Sequence, residues 1–225
     1  MLIGILQCGH FPEELQGETG DYGTLYSNFL SGYGFEFAVF PVCDGIFPEG
    51  ASDCDGWLIS GSKHGAYEDH DWIPRLEALI REIRDAGRPL VGICFGHQII
   101  AQAFGGRVEK FPGGWSVGRT LYRFEDGERA LNAWHQDQIT APPPGARVLA
   151  SSDRCAYAAL GYGDRIYTIQ PHPEFDRREV AGLLRVRGDL LPPTTREGAK
   201  AALDLAVDNR AEADRIAGLF QGAMA

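Results

Sequence analysis

The stretch that most constrains the fold of this chain is Val91-Gly92-Ile93-Cys94-Phe95-Gly96-His97-Gln98. An apolar run from Pro89 to Ile93 enters a Gly-x-Cys-x-Gly turn, and Gln98 to Phe104 reads as a helix stopped by Gly105-Gly106. Strand, sharp turn and helix with a nucleophile at the apex form the nucleophile-elbow arrangement, here with Cys in place of Ser. Glycines on either side of Cys94 let the backbone bend back tightly. The turn also sets Cys94 at a helix N-terminus, where the dipole and free N–H groups favour thiolate over thiol. A cysteine in an apolar strand is by itself an ordinary packing residue, so the catalytic reading needs a base.

That base is supplied by Tyr167-Thr168-Ile169-Gln170-Pro171-His172-Pro173-Glu174-Phe175. His172 and Glu174 stand at the end of a second apolar strand, between prolines that keep the segment out of a helix. A nucleophilic Cys needs a base, and the base needs a third group to hold its tautomer and orientation. Cys94, His172 and Glu174 are therefore the candidate catalytic residues.

The rest of the chain alternates strands and helices up to the elbow. Leu2 to Leu6, Glu36 to Val42, Asp55 to Ile59 and Pro89 to Ile93 read as strands. Tyr22 to Leu30 and Trp72 to Ala86 carry apolar residues at helical spacing, the latter stopped by Gly87. Glu13 to Gly20 is polar and glycine-containing, and reads as a loop. After Gly106 the texture changes to short runs, at Arg119 to Phe124, Arg147 to Ala150, Cys155 to Leu160 and Arg165 to Ile169, which suggest antiparallel strands. From Asp176 the chain reads as helical, broken at Leu191-Pro192-Pro193 before a last helix from Thr194 to about Phe220. Alternating strands and helices imply an α/β fold, a mostly parallel sheet with helices on both faces. Active residues then belong at the carboxyl ends of the strands, where Cys94 lies.

Composition narrows the partners. A net charge of −10 and the lack of a basic stripe argue against nucleic acid, and no apolar run has the roughly 18 residues of a membrane span. Met1 to Leu6 lacks a basic leading region and reads as a first strand, which makes the cytoplasm the expected location. Five cysteines without a Cys-x-x-Cys pair suggest neither a disulfide framework nor a zinc knuckle. Cys8, Cys43, Cys54 and Cys155 read as packing residues. His64, Glu68, Asp69, His70 and Asp71 lack His-x-x-x-His spacing and lie in a polar loop, so no metal site is expected there.

The elbow Gly92 to Gln98, followed by Pro171-His172-Pro173-Glu174, resembles the class I (triad) glutamine amidotransferase family, in which Cys precedes His-x-Glu by about the same interval. The resemblance covers most of the chain, up to about Phe175. It implies a three-layer, flavodoxin-like α/β domain over residues 1–190, with a small antiparallel addition and a C-terminal helical extension over 191–225. It also implies cleavage of the γ-amide of glutamine, or of a γ-glutamyl compound, through a γ-glutamyl thioester, with no cofactor. Phe95 N–H is the expected oxyanion donor, with Gly61 N–H as the second. The segment Ser60-Gly61-Ser62-Lys63-His64-Gly65 has Gly-Ser where many members have Gly-Gly-Pro, and the extended pattern Gly61-Ser62, Ala66-Tyr67 and Trp72-Ile73 resembles free-standing members including the γ-glutamyl peptidase branch. Trp115, Ser116 and Val117 resemble the segment whose backbone lines the glutamine pocket. Gln98 matches a family glutamine that holds the substrate's amino-acid end. His135 and Asp137 resemble a His-x-Asp segment of the same pocket, a wall in preference to a second base. The chain has no P-loop and no room for a synthetase domain, so an ammonia-accepting synthetase would be a separate protein.

Other readings are a γ-glutamyl peptidase, and a glutaminase subunit silent until a partner docks. A Cys-type α/β-hydrolase orders its triad Cys, Asp, His, whereas His172 precedes Glu174. The protease and chaperone branch of the superfamily carries His directly after the nucleophile, where this chain has Phe95.

Overall fold

The computed structural model describes residues 1–222; the last three residues of the expected C-terminal extension lie outside them. The fold is a three-layer α/β arrangement around one mixed sheet. Its parallel half comprises β1 (Leu2–Gln7), β2 (Glu36–Pro41), β3 (Gly56–Ile59), β4 (Leu90–Ile93) and β11 (Ile166–Ile169). The antiparallel half comprises β6 (Ser116–Phe124), β7 (Gly127–His135), β9 (Arg147–Ser151) and β10 (Ala159–Tyr162). The strand order is β2-β1-β3-β4-β11-β10-β9-β6-β7. The antiparallel strands thus extend the central sheet through β10, which pairs β11. A separate hairpin-like sheet pairs β5 (Arg107–Lys110) with β8 (Asp137–Ala141).

Two faces are buried, and the strands show it residue by residue. Leu58, Val91, Ile93, Tyr167 and Ile169 point to one face, while Trp57, Ile59, Leu90 and Ile166 point to the other, the period-two alternation of a pleated strand. On the first face lie α2 (Tyr22–Phe29), α5 (Arg177–Arg187) and α7 (Asn209–Phe220). On the second lie α3 (Trp72–Asp85) and α4 (Phe95–Ala103).

Two expectations are corrected. Glu13 to Gly20 is mostly helix, α1 (Glu13–Thr19). Pro12 precedes it and Glu13 and Glu14 occupy its first turn, where acidic side chains complement the positive helix end. The expected last helix is two, α6 (Pro193–Ala201) and α7. The chain leaves helical geometry between them because Asp208 pairs with β7: its N–H donates to Ala130 O (2.7 Å) and its carboxylate accepts from Ala130 N–H (2.7 Å). Strand order then places the site. The order β2-β1-β3 reverses direction beside β1, and ligands bind outside the carboxyl ends of strands near such a switch.

Candidate active site

Cys94 follows β4 and caps α4 with φ 54° and ψ −102°; among the described residues it is the one non-glycine with positive φ. A side chain in that region is strained, and such strain concentrates at functional positions. The flanking glycines serve close approach, not a left-handed φ. A Cβ on Gly92 would lie 2.5 Å from Gly96 O, and one on Gly96 would run into Ile59 O. Both glycines therefore let α4 start directly against β3 and β4.

The second motif reaches Cys94 because β11 runs parallel to β4 with Ile169 opposite Ile93, and Cys94 N–H donates to Ile169 O (2.9 Å). Three residues beyond Ile169 comes His172, pinned by its N–H to Asn132 O of β7 (2.8 Å) and stacked on Phe175 (centroids 4.1 Å apart, rings parallel). Its Nδ1 lies 2.7 Å from Glu174 Oε1, with both side chains buried. Burial works against a charged imidazole, but electrostatic attraction to Glu174, then to Cys94, with hydrogen bonds to both, outweighs it and raises the His172 pKa from 6.5 to about 10. The three residues of the expected triad are thus brought together, with His172 between a carboxylate and a thiol.

A fourth residue belongs to this network and was not legible in the motifs. Tyr26, fully buried on α2, donates from its hydroxyl to Glu174 Oε1 (2.9 Å) and accepts from Gly61 N–H (3.1 Å). Tyr22 packs over it nearly parallel (6.0 Å). Burial, then the Glu174 charge, pushes the Tyr26 hydroxyl pKa well up, so it stays a donor. Its helical spacing in α2 resembles any core tyrosine; only the fold reveals the contact.

That hydrogen bond corrects one expectation. Gly61 N–H is committed to Tyr26 and is not free to face an oxyanion. Gly61 still sits at the centre, since a Cβ there would lie 2.9 Å from His172 Cε1 and 3.2 Å from Tyr22 Oη. Ser62, next along, lines the cleft with Cys94.

The cleft has a volume of about 980 Å³. Of the expected substrate contacts, Gln98, Trp115, His135 and Asp137 line it beside Cys94 and His172, whereas Ser116 and Val117 do not. Ser116 is buried on β6 opposite His135, its hydroxyl without a partner, and Val117 packs on the core. Gln98 donates to Asp137 O (2.8 Å) and Gln170 Oε1 (3.1 Å), tying α4 to β8. Burial, then repulsion from His172, lowers the His135 pKa to about 3; it is neutral, with Nε2 unpartnered. Asp137 accepts from the Tyr67 hydroxyl (3.1 Å), and burial raises its pKa. His97, one turn into α4, is structural: Nδ1 meets Thr168 Oγ1 (2.7 Å) and Nε2 meets Tyr157 O (2.8 Å).

Of the remaining cysteines, Cys8, Cys54 and Cys155 are buried, while Cys43 is half-buried with Sγ 3.8 Å from His10 Nε2. Among the described residues no helix is long and apolar enough to cross a membrane.

Comparison with known proteins agrees with this geometry. The family model for glutamine amidotransferase class-I matches residues 25–183. γ-Glutamyl peptidase 3 of Arabidopsis thaliana is 34% identical over 69% of this chain and 71% of its own length. A glutamine-hydrolysing GMP synthase of Thermus thermophilus is 43% identical over 40% of this chain, a match spanning 19% of that enzyme. The crystal structure of a glutamine amidotransferase from Methylobacillus flagellatus superposes with a TM-score of 0.78 at 24% identity, covering 100% of this chain and 93% of that one. Fold, cluster and family match together describe an amidohydrolase of the Cys/His type acting on a glutamine-like amide. The chain belongs to the class-I glutamine amidotransferase family.

Proposed function

We propose that the protein hydrolyses the γ-amide bond of a γ-glutamyl compound, with Cys94 as nucleophile, His172 as acid and base, and Glu174 as the group that orients His172. The observation that carries this reading is the buried His172–Glu174 pair (2.7 Å) beside Cys94 at the strained start of α4. The Cys94 thiolate attacks the γ-carbonyl, and the developing oxyanion accepts from Phe95 N–H, the first free N–H of α4. Ser62 N–H replaces Gly61 as the second donor, since the Gly61 N–H is held by Tyr26. The tetrahedral intermediate collapses as His172 protonates the leaving nitrogen, giving a γ-glutamyl thioester and free ammonia or amine. His172 then takes a proton from water, hydroxide adds to the thioester, and glutamate leaves with regeneration of the thiolate. Gln98, Trp115, His135 and Asp137 form the wall that holds the glutamyl head.

A cleft of about 980 Å³ is at the upper end of the roughly 300–1,000 Å³ usual for small-molecule sites, and favours a substrate with a substantial group beyond the γ-nitrogen. The likeness to γ-glutamyl peptidase 3 supports the same choice. A second reading, a glutaminase that passes ammonia to a separate synthetase, draws on the likeness to part of a GMP synthase. Glutamate release by the purified protein from glutamine and from γ-glutamyl dipeptides separates the two. Faster release from the dipeptides, lost in Cys94→Ala, is the expected result; release from glutamine alone favours the glutaminase, and no release from either contradicts both as stated for the isolated chain.

A further inference from the structure

On the loop between β3 and α3, the structure gathers three of the five polar residues that the sequence left as a solvated cluster. His64 Nδ1 lies 3.0 Å from Glu68 Oε2, and His70 Nε2 lies 3.0 Å from His64 Nδ1 and 2.9 Å from the same Glu68 oxygen. No placement of protons satisfies that triangle while Glu68 is ionised. A neutral imidazole nitrogen is a donor or an acceptor, never both, and a carboxylate only accepts. If one nitrogen carries the proton, the other meets Glu68 lone pair to lone pair. If both carry one, each donates to Glu68, and the two nitrogens, 3.0 Å apart, are left with no hydrogen bond between them. A cation above the triangle makes all three contacts favourable at once, because each atom can offer it a lone pair.

Donor type and size agree. Two imidazoles and one carboxylate on one side of an ion, with positions left open, are a set used by first-row divalent transition metals; magnesium and calcium take oxygen ligands. Bonds of roughly 2.1 Å place neighbouring ligand atoms about 3.0 Å apart at octahedral angles and about 3.4 Å apart at tetrahedral ones, so the triangle suits a face of an octahedral ion and needs only a small spread to hold a tetrahedral one. The rings are also held in place. His70 stacks on Trp72 (5.9 Å, 15°), Trp72 packs on Phe95 (5.6 Å), and His64 N–H donates to Ser62 Oγ (3.1 Å). His64 and Glu68 line the cleft that holds Cys94.

We propose that His64, Glu68 and His70 bind one divalent transition-metal ion such as Zn²⁺, which fastens the loop carrying Ser62 to the start of α3 at the cleft wall. The ion is not part of the proposed hydrolysis, so the test reads binding and not turnover. Zn²⁺ is titrated calorimetrically into the Cys94→Ala protein, which removes the nucleophilic thiol as a competing ligand, with Co²⁺ absorption as a second readout. The expected result is one ion per chain, with affinity weakened at least about tenfold in His64→Ala, His70→Ala and Glu68→Gln. Circular dichroism confirms that each variant is folded, and Glu68→Gln, an isosteric change at an exposed side chain, carries the test if a histidine variant is not. Cys43→Ser, which alters the other cluster of metal-competent groups, His10, Cys43 and Asp44, is expected to leave the affinity unchanged. Absence of saturable binding, undiminished affinity in the folded loop variants, or loss of binding on Cys43→Ser would each overturn the proposal.

Discussion

In the proposed mechanism Cys94, His172 and Tyr26 divide the chemistry between them, and each makes a separate prediction. Against the burial that lowers it, Glu174 and Cys94 raise the His172 pKa to about 10, so the imidazolium proposed to protonate the leaving nitrogen persists through neutral pH. The kcat/KM for a γ-glutamyl substrate is therefore expected to hold through neutral pH and to fall as pH rises through about 10; a limb set by an unperturbed histidine, near 6.5, would show that the pairing is wrong. Tyr26→Phe removes one of two donors to Glu174 Oε1 and leaves Gly61 N–H unpaired. Loss of a charge-assisted hydrogen bond of ~1.5 kcal/mol corresponds to about a tenfold fall in rate, expected in kcat with little change in KM. Steady-state kinetics on the folded variant decides this, and an unchanged kcat would reduce Tyr26 to a packing residue. Cys94, His172 and Glu174 could be singled out in the sequence because they sit in two short motifs. Tyr26 could not, since it meets Glu174 from 148 positions away in sequence and sits at an ordinary core position of α2.

At the scale of elements, the sequence showed what has a clear period and missed what has none. β1 to β4 are apolar runs and α3 has one apolar face, so their existence could be read directly. α1 has too few apolar residues for a helical stripe, and its sign is electrostatic, Glu13 and Glu14 in the first turn. β7 carries charged residues at its start, and the break between α6 and α7 depends on a pairing with Ala130 that no local pattern encodes. The C-terminal helices had no evident role in the sequence. α7 anchors the sheet through Glu212, fully buried, which accepts from Arg129 of β7 (3.1 Å) and from the Tyr167 hydroxyl of β11 (2.6 Å). Glu212→Ala leaves the largely buried Arg129 guanidinium with Asp126 as its remaining carboxylate partner. Because Asp126 still pairs with Arg129, the expected cost is below the roughly 3–5 kcal/mol of a fully stranded buried charge, on the order of 1–3 kcal/mol, to be read as a lower urea midpoint. A midpoint equal to the parent's would mean α7 is held by its apolar face alone.

Across the whole molecule, the site exists because two distant strands become neighbours. β11 joins the parallel half of the sheet beside β4, with Ile169 opposite Ile93, and so carries His172 and Glu174 to the end where Cys94 projects. The antiparallel strands then build the far wall of the cleft with Trp134 and His135. The same arrangement ties stability to pH. The folded pKa of His172 lies above its ordinary value of 6.5, so its contribution is complete below about 6.5 and is lost as pH rises through about 10. The melting temperature is expected to fall across that alkaline window, less steeply in Glu174→Gln, where the largest charge raising the His172 pKa is gone; equal slopes would contradict the linkage.

The most direct measurement is intact-protein mass spectrometry after rapid quenching of the enzyme with a γ-glutamyl dipeptide, followed by peptide mapping. A γ-glutamyl adduct on the Cys94 peptide that forms before steady glutamate release and is absent in Cys94→Ala is the predicted result. Turnover that persists in Cys94→Ala, or an adduct mapping to another residue, would contradict the assignment of Cys94 as nucleophile.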